Sequence, residues 1–219
     1  MKSKKANDDM KIAVIQASSQ SEKNELIYGT VKKYAPDADV INFGCTKDEA
    51  IKFSYIEISV LVGLLLASNS VDLVVTGCSS GQGMMLACNN MPGVLCGYIP
   101  TPQDAYLFAQ INDGNAVSLP LGEGYTWAGE ENLDKTIAKL FSEPFGQGYP
   151  KGEAARKLED TRLLKRIRKA SQVKMADLIR NMDRMLVDKV FSKTDVIEYI
   201  LRYGSDEELS MLIREMTNG

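Results

Sequence analysis

Short runs of β-branched and aliphatic residues alternate with longer segments of helical spacing through the first 150 positions. Lys11-Ile12-Ala13-Val14-Ile15-Gln16 predicts a first strand, and residues 20–35 a helix stopped by Pro36. Residues 39–44 predict a second strand and 49–68 a long, strongly apolar helix. Val71-Asp72-Leu73-Val74-Val75-Thr76 predicts a third strand, and residues 82–91 a Met-rich helix. Residues 93–97 and 115–119 predict the fourth and fifth strands, with helices over 102–111 and 127–141. Past residue 150 the strand signal stops. Residues 153–190 predict long amphipathic helices, and 193–203 and 205–216 two more, opened by Thr194 or Ser192 and by Ser205 as caps.

Strands that are apolar throughout belong in a parallel sheet covered on both faces. Repeated strand–helix units with right-handed crossovers give a doubly wound, three-layer α/β fold with a five-stranded sheet, here with a C-terminal helical extension. The expected organisation is a flexible N-terminus over 1–10, an α/β domain over 11–150, and a basic connector with helices over 151–219. In such sheets ligands sit beyond the carboxyl ends of the strands. That directs attention to Ala17-Ser18, Gly44, Gly77-Cys78, Gly97-Tyr98 and the loop after residue 119.

The charge distribution sharpens the division. Residues 1–150 hold 11 Lys, no Arg and 17 acids, residues 151–174 nine cations and three acids, and the whole chain nets −3. That overall balance predicts no nucleic-acid or membrane partner. The longest apolar run, residues 60–67, is too short to span a bilayer, and the polar start lacks the core of a signal peptide. The extension is expected to pack on the body or on a second subunit, although its charges read equally well as a solvated face. There is no histidine, which excludes His-ligated metals, Ser-His-Asp triads and a His base. Cys45, Cys78, Cys88 and Cys96 are too irregularly spaced for a zinc ribbon. Reduced thiols in the cytoplasm, with no metal and no cofactor, are the expectation.

The sharpest local signal is Thr76-Gly77-Cys78-Ser79-Ser80-Gly81-Gln82-Gly83-Met84-Met85. A strand runs into small residues and then a helix, so the backbone can approach a ligand while free helical amides point at it. No Gly-Lys-Ser/Thr follows, and the loop sits on the third strand, so it is neither a Walker loop nor a full dinucleotide fingerprint. A thiol at a helix N-terminus tends toward thiolate. Cys78 is therefore the candidate proton carrier beside an anion hole. A free cysteine most often serves as a small buried hydrophobe, a role that suits Cys45, Cys88 and Cys96; position sets Cys78 apart. Asn112-Asp113-Gly114-Asn115 reads equally well as a helix C-terminal turn, and Ser18-Ser19-Gln20-Ser21 as a helix cap.

The order Cys78-Ser79-Ser80-Gly81-Gln82-Gly83-Met84, then Ala87-Cys88-Asn89-Asn90, then Pro92-Gly93-Val94, then Ile111-Asn112-Asp113-Gly114-Asn115 resembles the ribose-5-phosphate isomerase B / galactose-6-phosphate isomerase family. The family carries Cys-Gly-Thr-Gly-x-Gly, Ala-Asn-Lys, a Gly before the next strand, and His-Asn-Asp-x-Asn. Lys11-Ile12-Ala13-Val14 and Glu143-Pro144-Phe145-Gly146-Gln147-Gly148 also fall in register, so the resemblance covers roughly residues 10–165. It implies a flavodoxin/Rossmann-like sandwich and a homodimer, or tetramer, with sites at the subunit interface. It also implies a metal-independent aldose–ketose isomerisation of a pentose or hexose phosphate through a cis-enediol. By the same resemblance Cys78 is the base, Ser80 stands for the loop threonine, Ser79, Gly81, Gln82 and Gly83 complete the enediolate-binding loop, and Asn112 binds substrate.

The departures from the family pattern lie at the polar ends of its site. The family's Asp-His after the first strand is Ala17-Ser18 here, leaving Ser18 as the substrate-facing candidate, and its ring-opening histidine is Ile111. Its arginine after the fifth strand falls near Gly122, and its Gly-Gly-Arg-His-x-x-Arg clamp is replaced by residues 148–157. A phosphate wants Arg or Lys, so Lys151, Arg156 and Lys157, reaching across a dimer interface, are the expected clamp. The missing histidines leave open a non-catalytic sugar-phosphate subunit or sensor. A nucleotide- or flavin-binding domain ranks last, because the loop follows the third strand and carries a thiol.

Overall fold

Alternate strand residues feed two separate cores in the computed structural model, which describes residues 10–217. The strands β1 (Lys11–Val14), β2 (Asp39–Asn42), β3 (Leu73–Cys78), β4 (Cys96–Tyr98) and β5 (Ala116–Pro120) form one parallel sheet in the order β2-β1-β3-β5-β4. Ile12, Val14, Leu73, Val75, Val117 and Leu119 point into one core, under α1 (Asn24–Tyr34), α4 (Pro102–Leu107) and α5 (Glu130–Leu140). Their neighbours Ala13, Ile15, Val74 and Ala116 point the other way, under α2 (Tyr55–Ala67) and α3 (Gln82–Asn89). The period of two that sends successive side chains to opposite faces explains why these strands read as unbroken apolar runs. The fold is the expected three-layer, Rossmann-like α/β sandwich.

The extension consists of α6 (Ala154–Ser171), α7 (Met175–Asn181), α8 (Arg184–Phe191), α9 (Thr194–Tyr203) and α10 (Glu207–Thr217). Helices α7–α10 join the core of α2, burying Met175, Ile179, Val187, Val190, Ile200 and Leu212 with Ile58, Leu61 and Leu65. Each such large apolar side chain contributes about 1.5–3 kcal/mol on burial. This explains the composition of α2, which is apolar on every side because the sheet lies beneath it and the extension above it. At Gly63 an added Cβ would stand 2.9 Å from Met91 and 3.0 Å from Met175, so only glycine lets α2 lie this close to its neighbours. In contrast, α6 buries only Thr161 and exposes Leu163, Leu164 and Ile167.

Several boundaries differ from expectation, each for a local reason. Helix α2 begins at Tyr55 rather than near 49 because Ser54 and Glu57 form a reciprocal capping box. Glu49 Oε1 meanwhile accepts from the Thr46 amide at 2.8 Å, holding that stretch in a turn. The segment over 153–190 forms three helices, the second and third shorter than expected. Position 193, a lysine, occupies the N-cap of α9 instead of Thr194 or Ser192, and no side chain caps that end. Asp206, not Ser205, caps α10, its carboxylate accepting from the Leu209 amide at 2.9 Å. The expected flexible stretch at 1–9 lies outside the described residues, and Met10 is a buried member of the α1-side core. No helix among the described residues is long and apolar enough to cross a membrane.

Candidate active site

The crevice opens between β1 and β3, where the chain's progression across the sheet reverses, and such a switch point is where doubly wound sheets hold ligands. Backbone bonds extend the sheet past its last formal pairs. The Ala17 amide donates to Gly77 O at 3.0 Å, Leu121 N to Cys78 O at 3.0 Å, and Gly122 N to Ser79 O at 2.9 Å. Ser118 Oγ donates to Gly81 O at 2.7 Å from below. The loop from Cys78 to Gly81 is thus held on a rigid floor.

Gly81 adopts φ +73°, and a Cβ there would meet the Tyr98 ring at 2.8 Å and Pro120 N at 2.9 Å. Only glycine permits both the left-handed turn and the close approach that launches α3. The loop hydroxyls are oriented: Gln20 Nε2 donates to Ser79 Oγ at 2.9 Å, and the Gln82 amide to Ser80 Oγ at 3.3 Å. On the facing wall Ser18 is tied twice to the segment before α2. Its amide donates to Phe53 O at 2.9 Å, and its hydroxyl accepts from Phe53 N at 2.8 Å.

These pieces enclose a cleft of about 650 Å³. Ser18, Cys78, Ser79, Ser80 and Gly83 line it, and these are five of the residues the sequence singled out. Cys78 is 7% exposed, so its residue belongs to the core yet opens on the cleft. Gly81 is packed behind the lining, and Gln82 is exposed on the first turn of α3. The other expected residues lie elsewhere. Asn112 ends a π turn (Phe108–Asn112) and borders a separate groove of about 360 Å³ with Tyr98, Asp104 and Phe108. Lys151 is exposed in a short 3-10 turn, and Arg156 is exposed on α6, paired with Glu153 and, at 3.1 Å, with Asp160.

Six lining residues were not foreseen: Lys52, Phe53, Ser54, Tyr55, Tyr125 and Lys189. The signature Ser54-x-x-Glu57 ahead of an apolar run marks the start of α2, and with it Lys52 and Tyr55. Lys189 comes from α8 in the extension, and no local pattern announces it. Its Nζ lies 3.0 Å from Glu57 Oε1. Burial pushes the Glu57 carboxyl up, but hydrogen bonds from Ser54 and Lys189 outweigh it and hold the group below the usual carboxylate range. The remaining thiols suit structural roles. Burial pushes Cys45 up, and a hydrogen bond with Cys88 together with burial pushes Cys96 well up. All four cysteines are free and buried.

At the switch point of the doubly wound sheet, a thiol, hydroxyls and a helix N-terminus come together in a small-molecule cleft. The chain belongs to the ribose/galactose isomerase family, whose model matches residues 12–160. It is similar over nearly its whole length to two solved structures. One is a 4-deoxy-L-threo-5-hexosulose-uronate ketol-isomerase complexed with a tartrate, 34% identical, covering 96% of this chain and 100% of that one at TM-score 0.89. The other is a ribose-5-phosphate isomerase from Vibrio parahaemolyticus, 35% identical, covering 95% and 99% at TM-score 0.88. A type B ribose 5-phosphate isomerase from Trypanosoma cruzi, 23% identical over 72% of this chain and 99% of that one, shares the fold at TM-score 0.58. No curated protein matches the chain. Family and neighbours together make this chain an isomerase.

Proposed function

We propose that the chain interconverts an aldose and a ketose through a cis-enediol, with Cys78 as the base. The observation that carries this reading is the placement of Cys78, at the end of β3, on the cleft and beside the N-terminus of α3. As thiolate, Cys78 takes the proton from C2 of the open-chain aldose. The C2–H electron pair forms the C1–C2 double bond, and the carbonyl pair moves onto O1. Cys78 then returns the proton to C1, while the O2 proton passes to O1 with Ser80 assigned to the relay. The α3 amides stabilise the enediolate oxygen as charge develops on it. With no histidine in the chain, a substrate already in its open form suits this cleft.

A five- or six-carbon sugar phosphate fits the family and the cleft volume. A specific observation favours a second substrate class, a sugar acid whose carboxylate replaces the phosphate. Within one chain the charged residues lining the cleft are two lysines, and the tartrate held by the uronate ketol-isomerase is a dicarboxylate. Asn112 would reach substrate from a second copy, in a homodimer with shared sites. The apolar side chains that α6 exposes support such a contact. Four free thiols support a reducing, cytoplasmic setting.

The test is turnover of ribose 5-phosphate, galactose 6-phosphate and 4-deoxy-L-threo-5-hexosulose uronate, followed by NMR in heavy water. Deuterium should enter at the carbon beside the carbonyl, and Cys78→Ala should abolish that exchange. Exchange that survives in Cys78→Ala removes the assignment of the base. Binding without turnover across the panel assigns a sensor or non-catalytic subunit instead.

A further inference from the structure

We infer that the C-terminal extension completes the substrate site, with Lys189 holding the anionic end of the substrate and setting the preference for charged over neutral sugars. The inference rests on the isomerase reading and deepens it. Of the residues that line the cleft, Lys52 and Lys189 alone are charged, and both are cations. Lys189 is placed by a chain of fixed contacts. On α8, Val187 and Val190 are buried, which anchors the backbone that carries it. Its ammonium meets Glu57 Oε1 at 3.0 Å. Glu57 Oε2 accepts from the Ser54 amide at 2.6 Å within the capping box, so the carboxylate is locked to the first turn of α2. Ser54 and Tyr55, at that same helix start, line the cleft.

An ammonium carries three donors. Glu57 takes one, and the side chain remains 43% exposed, which leaves donors for a bound anion. Lys52, whose Nζ donates to Lys47 O at 3.2 Å, supplies a second cation from the body. Arg156 is differently placed, its guanidinium engaged by Glu153 and Asp160 on the exposed face of α6. Helix α8 thus brings to the cleft a cation that the α/β body does not supply.

The experiment compares wild type, Lys189→Met and Lys189→Arg on the anionic substrate and on its neutral parent sugar. Loss of one charge-assisted contact predicts a KM for the anionic substrate about 10- to 100-fold higher in Lys189→Met. The expected change in kcat is below about threefold, with kcat/KM for the neutral sugar unmoved and most of the KM recovered in Lys189→Arg. An unchanged KM, or an equal loss on charged and neutral sugars, overturns the inference. A parallel titration of tartrate and inorganic phosphate into the Cys78→Ala protein and its Lys189→Met derivative separates the two claims. Anion binding that Lys189→Met weakens supports the role of Lys189 whatever the fate of the base. Binding that Lys189→Met leaves intact overturns that role, even where Cys78 is shown to be the base.

Discussion

The cleft at Cys78 lies beyond the carboxyl ends of β1 and β3, whereas the groove at Asn112 runs along the edge strand β4, and the two differ in content. The cleft gathers a thiol, serine hydroxyls and two lysines. The groove is smaller, about 360 Å³, and its charged lining residue is Asp104. Between them stands a thin wall, where Gly81 and the Tyr98 ring approach so closely that a Cβ at 81 would lie 2.8 Å from the ring. Within one chain the thiol and the two lysines thus line one cleft, and Asn112 borders another. The proposed homodimer, with Asn112 reaching substrate from a second copy, rests on this separation.

The largest expected effect is on the cleft itself: Cys78→Ala should lower kcat by about 10²- to 10⁴-fold, the usual contribution of a positioned acid–base group. Mixing then tests the division. Inactive Cys78→Ala and inactive Asn112→Ala proteins, co-expressed as mixed dimers, should regain up to about one quarter of wild-type activity by sharing one intact site. No recovery, with mixed dimers verified by native mass spectrometry, would put each complete site within one chain. The wall is tested by Gly81→Ala, which should cost at least about 1–3 kcal/mol of stability in a chemical melt, since the backbone is left-handed there and the space is filled. A smaller effect concerns pH. The folded carboxyl of Glu57 is held below its ordinary value. Its contribution is thus present above the unfolded carboxylate pKa and is lost as pH falls through the folded one. Thermal melts between pH 6 and about pH 3 should drop less steeply for Glu57→Gln than for wild type. Smallest of all, Arg156→Ala should change KM by less than about threefold, because exposed ion pairs contribute little. A shift as large as that expected of Lys189→Met would show the clamp reaching across from α6.

The central strands were legible in the sequence because β1, β3 and β5 are buried on both faces, unlike the partly exposed edge strands β2 and β4. The apolar runs at 12–15 and 73–75, and Ala116, Val117 and Leu119, send alternate side chains into the two cores. The loop at Cys78 was legible for a related reason, since small residues between a strand and a helix leave few geometries. Lys189 was not legible. It reaches the cleft through tertiary packing of α8, and nothing local distinguishes it from Lys174, which pairs with Glu208 at 2.9 Å. The early start assigned to α2 has the same origin, because the contacts of Glu49 with Thr46 and Lys193 that bend 44–54 into a loop are not encoded as periodicity. The cap of α10 missed by one residue because the neighbouring Asp206 carboxylate takes the Leu209 amide, and the start of α9 has no side-chain cap at all.

Helix α2 offers no polar side to water along most of its length, and α7–α10 are what screen it. Cutting the chain after Ser171 would strip that cover and leave a greasy rod on the outside, prone to clumping. The last quarter of the polypeptide is thus bound to the fate of α2: neither can be swapped, shortened or transplanted without rewriting the other.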